Sequence, residues 1–125
     1  MFELKVLTDF SAAHQLTMVA KKCENLHGHN WRVEVCVKGD RLNDAGVLMD
    51  FGILKGYIRE VMDQLDHRFL NELPCFENTP PSSENIAVYI ADCLKTKITD
   101  PGVVVSQVTT WESDNACAIY CPPVS

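Results

Sequence analysis

Three of the chain's four histidines stand at positions from which they could share one metal ion. His14 closes an alternating run over residues 2–13 (FELKVLTDFSAA), on the face that carries Phe2, Leu4, Val6, Phe10 and Ala12. His27 and His29 open a second alternating run over 29–38, on the face of Trp31, Val33, Val35 and Val37 and opposite Arg32 and Glu34. Side chains alternate across a strand, so His27 and His29 project together, roughly 7 Å apart along the chain. If the two runs pair antiparallel, His14 at the end of one meets His27 and His29 at the start of the other. Three ring nitrogens with an open fourth position describe a catalytic rather than a structural zinc. The competing reading, three separate histidines each satisfied by a backbone hydrogen bond, leaves the matched parity unexplained. Gly28 between the pair would let the backbone bend or a ligand come close.

Other groups able to do chemistry lie nearby in the chain. Cys23 sits in the polar loop Lys21-Lys22-Cys23-Glu24-Asn25, four residues before His27. A thiol beside a divalent cation loses its proton easily and could serve as base or nucleophile. It could equally be a fourth zinc ligand. Asp66-His67 places a carboxylate next to an imidazole, a pair suited to proton transfer but also common on surfaces. Glu112 closes the segment TTWES, where a carboxylate can be solvated or can grip the N–H groups of a ligand.

The elements that must position these groups are legible from period and punctuation. The two alternating runs read as strands with one buried face. Asp50 is a candidate N-cap for a helix over about 52–65, with Leu54, Tyr57, Ile58, Val61 and Leu65 at helical spacing. A second helix is expected after Pro80-Pro81, capped by Ser82, with the ladder Ile86, Ile90, Leu94 and Ile98; Pro101-Gly102 ends it. Val103–Trp111 and Ala116–Cys121 read as two further strands joined by Ser113-Asp114-Asn115. The order ββααββ implies an α+β domain, residues 1–125, with a four-stranded antiparallel sheet and both helices on one face.

With 125 residues, 46% apolar and 22% charged, the chain is sized for one ordinary globular domain. A net charge of −6 argues against nucleic acid, which demands a basic face, yet permits a small phosphorylated substrate. Six cysteines without a C-x-x-C pair, and no signal peptide ahead of Met1-Phe2-Glu3, read as reduced thiols in a cytoplasmic protein. No run approaches the ~20 apolar residues of a membrane span.

Six motifs in order carry a resemblance: FSAAH at 10–14, CENLHGHN at 23–30, MDF at 49–51, LDHRFLN at 65–71, PSSEN at 81–85 and WE at 111–112. Together they resemble the 6-pyruvoyl-tetrahydropterin synthase superfamily along nearly the whole chain. The resemblance implies the tunnelling fold, in which three subunits close a twelve-stranded barrel, two trimers stack into a hexamer, and active sites lie between subunits. It implies His14, His27 and His29 as zinc ligands, Cys23 as the proton-abstracting base and His67, supported by Asp66, as its partner in proton relay. Glu112 is implied as the anchor of the pterin and a sharer in that relay, and Glu84 as a weaker substrate contact.

The three-residue gap between Cys23 and His27 resembles the bacterial 6-carboxy-tetrahydropterin synthases of the queuosine pathway. The implied reaction converts 7,8-dihydroneopterin triphosphate to 6-carboxy-tetrahydropterin, with loss of triphosphate and acetaldehyde. Glu24 departs from that pattern. Relatives with a glutamate in this loop point instead to cleavage of the side chain, giving 6-hydroxymethyl-dihydropterin for folate synthesis, alone or as a second activity. A non-catalytic pterin-binding module is the alternative from another class, and it would have little use for Cys23 together with Asp66-His67.

Overall fold

A computed structural model describes residues 1–16 and 26–123. The first two runs form strands β1 (Phe2–His14) and β2 (His27–Gly39), paired antiparallel without interruption from Phe2↔Gly39 to His14↔His27. Alternation decides which side faces inward: Val6, Phe10, Ala12 and His14 are buried on β1, and Trp31, Val33, Val35 and Val37 are wholly buried on β2.

Helix α1 (Phe51–Leu65) starts where the Asp50 carboxylate accepts from the Ile53 N–H at 3.0 Å. Helix α2 (Ser83–Lys97) starts where the Ser82 hydroxyl accepts from the Asn85 N–H at 3.1 Å. Each cap satisfies one of the backbone donors that a helix start leaves unpaired. Lys95 and Lys97 in the last turn of α2 complement its negative dipole end. Leu54, Ile58, Val61 and Leu65 of α1 join Ile86, Ile90 and Leu94 of α2 in one core against the buried side of the sheet. Each such side chain contributes about 1.5–3 kcal/mol of transfer free energy.

The sheet departs from the expected four antiparallel strands. A two-residue strand β3 (Arg68–Phe69), immediately after α1, pairs parallel with Ala12 and Ala13. With β4 (Val104–Ser113) and β5 (Ala116–Tyr120) it makes a five-stranded mixed sheet in the order β3-β1-β2-β4-β5. Two residues carry no period, so β3 has no sequence signature. The fold is α+β all the same, with both helices against one face. The register of β4 slips twice, against β2 between Cys36 and Val37 and against β5 between Trp111 and Ser113. The second irregularity leaves Glu112 as the unpaired residue. Among the described residues no helix is long and apolar enough to cross a membrane.

Candidate metal centre

The antiparallel register sets His14 directly across from His27, with His29 opposite Ala12. All three rings therefore stand at one end of the buried face, with centroids 4.5–5.0 Å apart and edge-to-face geometry. Trp31, one inward position further along β2, packs its indole against both His14 and His29. The next strand adds a carboxylate. Glu112 brings Oε1 to 3.1 Å from His14 Nε2 and to 3.1 Å from His29 Nε2. One donor atom from each of His14, His27, His29 and Glu112 lies within 4.8 Å of every other.

The tautomer of His14 follows from its surroundings. Its Nδ1 lies 2.8 Å from the Pro81 carbonyl oxygen, which can only accept, so the neutral ring carries its proton there. The lone pair of Nε2 then points at His27 Nε2, 3.0 Å away, and at the Glu112 oxygen. The His27 ring donates its N–H across that contact in the absence of a metal, and a divalent cation can take the place of that proton among the same donors. A tetrahedral zinc with bonds of about 2.0–2.2 Å holds its donors roughly 3.3–3.6 Å apart, a few tenths of an ångström wider than the spacing here. Three of the donor contacts are thus near the spacing a divalent cation requires, and all four donors lie within 4.8 Å of one another. The Pro81 contact is the outer-shell hydrogen bond that orients metal-binding imidazoles elsewhere.

Two supports of the site have no signal of their own in the sequence. Thr110, wholly buried, donates its hydroxyl to the Ser83 carbonyl at 2.8 Å and ties β4 to the start of α2, next to Pro81. Asn71 clamps the chain just past His14: it accepts from the Gln15 N–H at 2.8 Å and donates to the Gln15 carbonyl at 2.7 Å. Gly28 needs no special conformation. It is not among the positive-φ glycines, and a Cβ there would make only an ordinary 3.9 Å contact with the Ala12 carbonyl, so the expected close approach is not built into the backbone.

His67 occupies a separate position. Its side chain is 82% exposed at the β3 edge, with Nδ1 3.0 Å from the Asp66 carboxylate. It lines an open depression of about 490 Å³ that His29, Ser11 and Asn30 also border. Asp66 accepts from the Ser11 N–H at 2.8 Å, and that bond, followed by the neighbouring His67, holds its carboxyl below the usual range. Glu84 is exposed in the first turn of α2, outside the donor cluster. Cys23 and Glu24 lie outside the described residues, as do Lys21 and Lys22. The five described cysteines are free thiols.

Comparison with known proteins places this architecture. The family described as 6-pyruvoyl tetrahydropterin synthase matches residues 3–123. The chain belongs to that family. Within the 6-pyruvoyl tetrahydropterin synthase family it is 38% identical over 120 residues to the 6-carboxy-5,6,7,8-tetrahydropterin synthase of Synechocystis, covering 91% of this chain and 88% of that protein. It is 36% identical over 125 residues to human 6-pyruvoyl tetrahydrobiopterin synthase, covering 89% and 85%. The solved structure of the Caenorhabditis elegans 6-pyruvoyl tetrahydropterin synthase superposes with a TM-score of 0.86 at 28% identity, over 98% of this chain and 96% of that one. Family members with different products thus share this scaffold at similar identity.

Proposed function

We propose that this chain is a zinc-dependent cytoplasmic enzyme that converts 7,8-dihydroneopterin triphosphate to 6-carboxy-5,6,7,8-tetrahydropterin, releasing triphosphate and acetaldehyde. The observation that carries this reading is the convergence of three imidazoles and a carboxylate, in a family of pterin synthases, in a chain 38% identical to a 6-carboxy-tetrahydropterin synthase. His14, His27 and His29 would hold the zinc, which when bound supplies a Lewis acid that makes substrate hydroxyl groups more acidic.

The protein's own groups do the rest. Cys23, four residues before His27 in the chain, takes the side-chain proton. His67 moves protons from a second direction, held in orientation by Asp66. Glu112, and more weakly Glu84, bind the N–H edge of the pterin, as a carboxylate facing paired donors does well. The exposure of His67 at a sheet edge suits a site completed by a neighbouring subunit in a hexamer.

The test is product analysis by mass spectrometry after incubation with dihydroneopterin triphosphate, alongside metal analysis. Wild type should carry about one zinc per chain and form the 6-carboxy product, and His27→Ala should lose most of the metal. Cys23→Ala should reduce the carboxy product by ~10²–10⁴-fold, the usual worth of a general base. Glu24→Ala should spare that product and diminish any 6-hydroxymethyl-dihydropterin formed beside it. Full carboxy-product activity in Cys23→Ala would sink the assignment.

A further inference from the structure

We infer that Cys75 and Cys93 form an oxidisable dithiol, which a peroxide converts to a disulfide joining the 3₁₀ turn Pro74–Phe76 to helix α2. Helix geometry is the first ground. Tyr89 and Cys93 are one turn apart on α2, so their side chains leave the same face. The turn packs on that face: the Phe76 and Tyr89 rings have centroids 5.7 Å apart, and Cys75 is the chain neighbour of Phe76. Cys75, Tyr89 and Cys93 are all half-buried against one core.

The three groups meet at the phenol. Burial raises the pKa of the Tyr89 hydroxyl, and the Cys93 and Cys75 thiols beside it push in the same direction. Its O–H is committed to the Gln64 side-chain oxygen at 2.5 Å, so the ring that both thiols neighbour is itself tied to α1. Cys36 and Cys121 are arranged differently. They contact the oxygen and the nitrogen of the Gln107 amide at 3.9 and 4.0 Å, with that side chain separating them. Burial also raises the Cys75 thiol, which keeps thiolate scarce near neutral pH and the resting pair reduced.

In the oxidation, the sulfur of one thiolate attacks a peroxide oxygen and the O–O bond breaks; the departing hydroxide takes up a proton and leaves as water. The second sulfur attacks the sulfenic acid so formed, the S–O bond breaks, and a second water departs with the second thiol's proton. Two electrons pass from the two sulfurs to the peroxide. The bridge closes a loop over residues 75–93, within which Ser82 caps α2 and the Pro81 carbonyl bonds to His14. Oxidation therefore restricts the segment on which the His14 ring leans.

The experiment treats the full chain with hydrogen peroxide, alkylates the remaining thiols and maps linked peptides by mass spectrometry. A peptide joining Cys75 to Cys93 within one chain is expected, together with a urea midpoint above that of the reduced protein, because the cross-link limits the unfolded chain. Dithiothreitol should reverse both. Cys75→Ser and Cys93→Ser should each show no rise in midpoint on the same treatment. Should either fail to fold by circular dichroism, the alanine variant at that position is read on the same criterion. No bridge, a bridge between other cysteines, or a Cys75–Cys93 bridge that leaves the midpoint unmoved overturns the inference.

Discussion

His67 has a φ of 57°, the left-handed region that residues with a Cβ seldom enter. It is held there by its N–H donating to the Ser11 carbonyl at 2.6 Å and by its ring facing Asp66. Asp66 is bound in turn to the Ser11 N–H, so one dipeptide exchanges both backbone groups of Ser11 for a fixed imidazole. Because the folded Asp66 pKa lies below its unfolded value, the carboxylate contributes stability that is fully present above about pH 4 and lost as pH falls through the folded value. Asp66→Asn should therefore flatten this part of the acid limb in urea titrations from pH 5 downward, and should lower kcat while leaving zinc content unchanged. An acid limb identical to wild type would show that the Ser11 bond contributes nothing. The pairing of Asp66 with His67 was readable in the sequence as two adjacent letters. The left-handed backbone and the tie to Ser11, 55 residues away, were not, because no local pattern encodes a contact made by the turn out of a helix.

Among the elements, the strand–strand register brings the three histidines together and the start of α2 orients His14. Parity along β1 and β2 foretold the convergence of His14, His27 and His29, since period 2 and a shared buried face leave little freedom. Both helix caps were equally legible, because Asp and Ser announce themselves one residue ahead of an apolar ladder. The place of Glu112 was not: its aim depends on a bulge, and whether a carboxylate at a strand end is solvated or inward is not a property of the strand's sequence. Nor was the Pro81 carbonyl foreseeable, since a backbone oxygen has no residue type. Asn71 gives a test at this scale. Asn71→Ala removes both hydrogen bonds that hold Gln15, and should reduce stability by about 1–3 kcal/mol in urea denaturation. No change in midpoint would mean that water replaces the clamp at no cost.

At the level of the whole molecule, the sheet of the described residues has two edges. Among the described residues β3 covers only Ala12 and Ala13, so most of β1 presents an open edge, and β5 presents the other. Leu7 and Ile119, 61% and 57% exposed, lie near these two edges. Exposed strand edges invite pairing, and head-to-tail pairing of copies closes a ring. Light scattering should give a hexamer of about 84 kDa, six times the 14.0 kDa chain, and an active monomer at working concentration would contradict it.

The pairing of β2 with β4 has a consequence in time. His29 and Glu112 are 83 residues apart in the chain, and Arg32 finds its partner Trp111 only after both helices have been made. At roughly 5–20 residues per second, synthesis leaves the three histidines waiting about 4–17 s for β4 to appear. A lone hairpin of β1 and β2 is marginal in water, so during that interval the imidazoles have no settled arrangement. On the metal reading proposed above, the site is complete only once β4 has arrived beside β2.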